Sequence, residues 1–125
     1  MKARNPVSPA DALLFDSYMT KWQSILNLND WRIERGAAAA SRGAMASVEF
    51  NAPARLATYR LGDFGAEAVT PKSLQTTCVH ELLHVVLYDL MDAVFNRHAP
   101  EVIEAAEHKV INLFEKILLQ KGAHD

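Results

Sequence analysis

Thr70-Pro71-Lys72-Ser73-Leu74-Gln75-Thr76-Thr77-Cys78-Val79-His80-Glu81-Leu82-Leu83-His84 opens like a helix and then sets two histidines four residues apart. A threonine before a proline is a helix start, the hydroxyl capping the free N–H groups and the proline ring pre-set for the first turn. The apolar residues that follow carry the helix to about Asp92. Four residues of helix bring His80 and His84 onto one face, a turn apart. Two neutral imidazoles so placed can each reach a Zn²⁺ ion at roughly 2.0–2.1 Å. Glu81 projects near the ion without having to bind it, where it can act as general base. The plain alternative is two histidines at helical spacing by accident, with Glu81 solvated. Against it stands the apolar setting of Leu82, Leu83, Val85, Val86 and Leu87, where unpaired imidazoles would be costly.

Upstream, Ser8-Pro9-Ala10-Asp11 repeats the cap-and-proline signal, and Leu14, Tyr18, Trp22 and Ile25 recur at helical spacing, which predicts a helix over roughly residues 9–27. Trp31-Arg32-Ile33-Glu34 alternates as a first strand. Residues 36–43, with four alanines, fit either a loop or an extended strand end. Ala46, Val48 and Phe50 mark a second strand; Ala57, Tyr59 and Leu61 mark a third, after a turn at Asn51-Ala52-Pro53-Ala54. Strands this close in sequence suggest an antiparallel meander. Pro100 starts a last helix reaching about Lys121. Helix, three strands, helix, helix predicts a single α+β domain over residues 1–125.

With 125 residues, half of them hydrophobic and 22% charged, the chain suits one globular unit. A formal net charge of -2 and no basic block give nucleic acid no evident footing. The lone Cys78 excludes an intrachain disulfide and suits a reducing compartment. It reads as a buried small hydrophobe, not a nucleophile. No signal-peptide core opens the chain and no apolar run matches a membrane span, so a soluble, cytoplasmic protein is expected.

A catalytic zinc needs a third protein ligand and an open position. Position 90 is Leu90, so the longer pattern with a third histidine six residues on is not met. His98, Glu104 and Glu107 remain. On the last helix Val102, Ile103, Ala106, Val110, Leu113, Phe114 and Ile117 form an apolar stripe, expected to face the core. Glu107 lies roughly 60° from its centre and Glu104 roughly 120°, which favours Glu107. Glu104 fits equally well as a solvated residue paired with His108 one turn on, and His98 as a plain loop histidine. Tyr59 or Tyr88 could steady an oxyanion, although each fits a core or boundary position as well.

The chain resembles the minimal gluzincin-type metallopeptidase domains of phages and prophages, relatives of the peptidases in mobile-element repressor-cleavage systems. His80-Glu81-Leu82-Leu83-His84 resembles their zinc motif; Glu107 with Val110, Ile111, Leu113 and Phe114 resembles their downstream acid, with His108 where an acid is common; Trp31-Arg32-Ile33-Glu34 resembles their first strand. The resemblance implies His80, His84 and Glu107 as zinc ligands, Glu81 as base, a peptide or protein substrate (regulatory or phage-encoded), a strand beside the active helix where substrate adds, and the host cytoplasm as location. His98-Ala99-Pro100-Glu101 also resembles the third-histidine segment of SprT/Spartan-type proteases, but with alanine in place of the usual glycine and no DNA-binding attachment.

A zinc-dependent peptide hydrolase is therefore the leading expectation. A non-catalytic zinc module that docks another protein is the second, a metal-dependent nucleic-acid hydrolase the third. Another divalent ion could take the site.

Overall fold

The computed structural model describes residues 3–95 and 100–122. In chain order they form α1 (Pro9–Ile25), β1 (Arg32–Arg35), a 3₁₀ turn (Ser41–Gly43), β2 (Ala46–Asn51), β3 (Leu56–Leu61), α2 (Pro71–Val94) and α3 (Pro100–Gly122). This is an α+β fold. Among the described residues no helix is long and apolar enough to cross a membrane.

Both caps read from the sequence form. Ser8 Oγ accepts from the Asp11 N–H at 3.1 Å. Thr70 Oγ1 accepts from the Ser73 N–H at 3.0 Å, and Ser73 Oγ returns the favour to the Thr70 N–H at 2.9 Å. α1 stops slightly short of the expected end because Asn27 turns to a φ of 56°, the left-handed conformation that asparagine tolerates. Its buried line is Ala12, Phe15, Met19 and Trp22, which leaves Ile25 exposed.

The sheet is mixed, in the order β1-β3-β2, and not the antiparallel meander expected. β1 runs parallel to β3 and β2 antiparallel to it. The cause lies in burial and in the 36–45 connection. β3 carries the buried pair Ala57 and Tyr59, so it takes the centre. The connection then passes round the end of β3: the Gly36 N–H donates to the Tyr59 carbonyl at 2.7 Å, that of Ala40 to Leu61 at 3.2 Å, and that of Gly62 to Met45 at 2.8 Å. A Cβ on Gly62 would overlap the Ala44 carbonyl oxygen, so only glycine lets the chain pass there.

α2 is the central element, packed on α1, α3 and β2. Leu74, Cys78, Val79 and Leu82 on it are fully buried, in one cluster with Phe15, Trp22, Trp31, Ala57, Tyr59 and Phe64. Burying side chains of this size stabilises the fold by roughly 1.5–3 kcal/mol each. Trp22 Nε1 donates to Gln75 Oε1 at 2.8 Å, which pairs the two polar atoms buried between α1 and α2. Trp31, Phe50 and Tyr88 form an aromatic cluster that fastens β2 to the second half of α2.

α3 meets α2 on an unexpected face. Ile103 and Ile111 are buried, with Glu107 and Glu115 half-buried at the same four-residue spacing. Apart from Ile103, the expected stripe lies on the exposed side, with Val102 64% and Leu113 57% exposed. The reason is the face that α2 offers. Its histidines lie there, and polar partners at 107 and 115 satisfy them where valine and leucine could not.

Candidate metal centre

His80 and His84 share one face of α2, with ring centroids 5.2 Å apart. α3 adds His108, whose ring lies 5.6 Å from that of His80 and 5.1 Å from that of His84. One donor nitrogen from each ring lies within 4.8 Å of the other two, so the three histidines could hold a metal ion. Two nitrogens sharing an ion at ~2.1 Å stand no more than ~4.2 Å apart, a separation within reach of small side-chain rotations from an arrangement within 4.8 Å.

Carboxylates back two of the rings. His80 Nδ1 lies 3.0 Å from Glu115 Oε2, and His84 Nδ1 lies 2.9 Å from Glu107 Oε2. An ionised carboxylate only accepts, so Nδ1 carries the proton and donates it, which leaves the Nε2 lone pair free for a cation. Burial holds His84 below its ordinary pKa, against the opposing pull of Glu107, so the ring is neutral and ligand-competent at neutral pH.

Glu107, expected as the third ligand, thus stands behind His84 and outside the group of three. The carboxylate reaches Nδ1 from α3 and is engaged there, while the next residue, His108, comes forward. Glu104 is exposed on the wall of the adjoining cavity. His98 lies outside the described residues. The signal for His108 was present in the sequence as Glu107, His108, Ile111 and Glu115, a polar-and-apolar face beside the apolar stripe.

Glu81 is buried, with 7% of its surface exposed, and its carboxylate takes no hydrogen bond among the described residues. It lines the cavities on both sides of the histidines. Burial raises its pKa to about 7; His80 opposes the rise, and Glu115 and Glu107 add to it. This has a measurable consequence for the metal-free protein. Between pH 4.5 and 7 the folded chain keeps a proton on Glu81 that the unfolded chain has released. Stability therefore falls as pH rises through that window, by about 3 kcal/mol in all. His84, with its lowered pKa, acts in the opposite sense, so the contribution of Glu81 is read by difference. In chelator-treated protein unfolded with urea, Glu81→Gln should match wild type below pH 4.5. Above pH 7 it should be the more stable of the two, by a margin of that order.

A cavity of about 560 Å³ extends from His84 and Glu81 along β2, past Ser47, Val48 and Phe50, to Tyr88 and Asp92. β2 is an edge strand of the sheet. The two tyrosines part company here. Tyr88 faces the cavity one turn beyond His84, whereas the Tyr59 hydroxyl donates to Asp16 Oδ1 at 2.8 Å, between α1 and the sheet. Cys78 is fully buried and its thiol pKa is pushed up by burial, which keeps it inert.

No protein-family model, no curated protein and no solved structure matches this chain.

Proposed function

We propose that the chain is a zinc-dependent peptidase, with His80, His84 and His108 holding the ion and Glu81 moving protons. The observation that carries this reading is Glu81, a buried residue whose carboxylate takes no hydrogen bond among the described residues and lines both cavities, next to three imidazoles whose donor atoms converge within 4.8 Å. Three nitrogen donors and an open side toward a cavity are what a catalytic zinc requires. A purely structural site would close the fourth position with another side chain.

Zinc bound there would supply Lewis acidity, bringing the pKa of a water toward 7 and polarising a carbonyl. The residues of the chain do the rest. Glu81 takes a proton from the attacking water as its oxygen bonds to the carbonyl carbon. As the carbon–nitrogen bond breaks, Glu81 hands that proton to the leaving amine. Glu107 and Glu115 hold their imidazoles in one tautomer and one orientation. The free edge of β2 beside the cavity suits an extended peptide, which would add its backbone as a further strand.

The test is hydrolysis of an unfolded polypeptide such as reduced, alkylated casein by purified protein. Zinc-loaded protein should cut it, chelator should abolish the cutting, and one equivalent of zinc should restore it. A zinc-saturated protein that cuts no unfolded chain would contradict the reading.

A further inference from the structure

A second cavity, of about 410 Å³, adjoins the histidine group on the side of the first turns of α2. It shares His80, Glu81 and His108 with the first and adds Met45, Glu67, Thr76, Thr77 and Glu115. No lysine or arginine lines it among the described residues. Thr77 is only 9% exposed, and its hydroxyl makes no hydrogen bond among the described residues. Glu115 Oε2 accepts from His80 Nδ1, and its other oxygen takes no hydrogen bond among those residues.

Glu67 sits on a pinned turn. Its N–H donates to the Phe64 carbonyl at 3.0 Å, and the Phe64 N–H donates to the Asn5 carbonyl at 2.9 Å. Asp63 Oδ1 accepts from the N–H groups of Asn5 and Gly65 at 2.8 and 2.7 Å. The backbone that carries Glu67 is therefore held at the cavity wall.

We infer that this cavity is the specificity pocket of the cleft and receives a lysine or arginine side chain next to the bond that is cut; the inference rests on the peptidase reading. Two carboxylates and an unpaired hydroxyl oxygen offer acceptors to a cationic head that carries only donors. Met45, Ala44 and Ala46 give the aliphatic stem an apolar wall. An acidic side chain would bring another negative charge beside Glu67, Glu115 and Glu81. An apolar one would leave the Thr77 hydroxyl and the free Glu115 oxygen stripped of water with no partner in exchange, which is how polar pockets reject the wrong side chain.

The experiment uses the full-length, zinc-loaded chain and a fluorogenic peptide set varied at the two positions flanking the scissile bond. Lysine or arginine at one flank should raise kcat/KM at least tenfold over glutamine, leucine or glutamate there. Glu67→Lys, an exposed-turn change, should reverse the order in favour of glutamate, and Thr77→Val should reduce the preference several-fold. Equal rates for all peptides, or an order unchanged by Glu67→Lys, would overturn the pocket and leave the peptidase reading standing. If no peptide is cut, the peptidase reading fails by itself, and fluorescence anisotropy with zinc-loaded Glu81→Gln protein decides the pocket. Tighter binding of the lysine peptide than of its glutamate counterpart, lost on adding Glu67→Lys, upholds it. Equal binding ends it.

Discussion

Changing Glu81→Gln should leave zinc bound and lower kcat on a peptide substrate by about 10²–10⁴-fold, the range of a lost general base. Glutamine keeps the shape and fits the same buried position, but it cannot take a proton. Glu81 is not one of the three side chains whose donor atoms converge, so metal affinity should change little. KM should also hold, because the lost interaction is made only as the proton moves. The same change removes a buried carboxylate that burial disfavours, so an inactive yet more stable metal-free protein is the combined expectation. A misfolded variant would show the reverse in stability. If Glu81→Gln keeps full turnover, the assignment of the base is wrong. If it loses zinc as well as turnover, Glu81 is a ligand.

The second large effect concerns the third ligand. His108→Ala should weaken zinc binding by well over a hundredfold, because one of three donor atoms disappears. Glu107→Gln removes only a charge behind His84 Nδ1, and supporting partners of that kind typically contribute 10–100-fold. Competition with a chromophoric chelator at neutral pH gives both affinities. The order of the two losses is the diagnostic. A larger loss for Glu107→Gln than for His108→Ala would make the glutamate the ligand. His108 is an exposed residue of α3, so its removal should cost the fold little and leave the comparison clean.

These two positions mark where the sequence was legible and where it was not. Ser8-Pro9 and Thr70-Pro71 announce helices through interactions within four residues, and both caps form as read. The His80, Glu81 and His84 spacing is likewise local, since one helix turn sets it whatever the rest of the chain does. Strand order is not local. The alternation of Ala46, Val48 and Phe50 fits a meander as well as a mixed sheet. The choice is made by the 36–45 connection passing over Gly62, whose role depends on a backbone it meets only after folding.

The face of α3 was misread for a related reason. Hydrophobic periodicity assumes an apolar opposite face, and α2 instead offers His80 and His84. The helix therefore turns Glu107 and Glu115 toward them and exposes Val102 and Leu113. His108 comes to the group by that same rotation. The rule that turns apolar residues inward yields here to the need to pair buried polar groups.

The most direct test is a crystal structure of the zinc-loaded chain with anomalous data collected at the zinc edge. The account predicts one ion bonded to a ring nitrogen of each of His80, His84 and His108 at ~2.0–2.1 Å, with the carboxylates of Glu107 and Glu115 still on the far nitrogens of their histidines. An ion that takes a Glu107 oxygen in place of the His108 ring, or crystals that carry no zinc at these side chains, would contradict it.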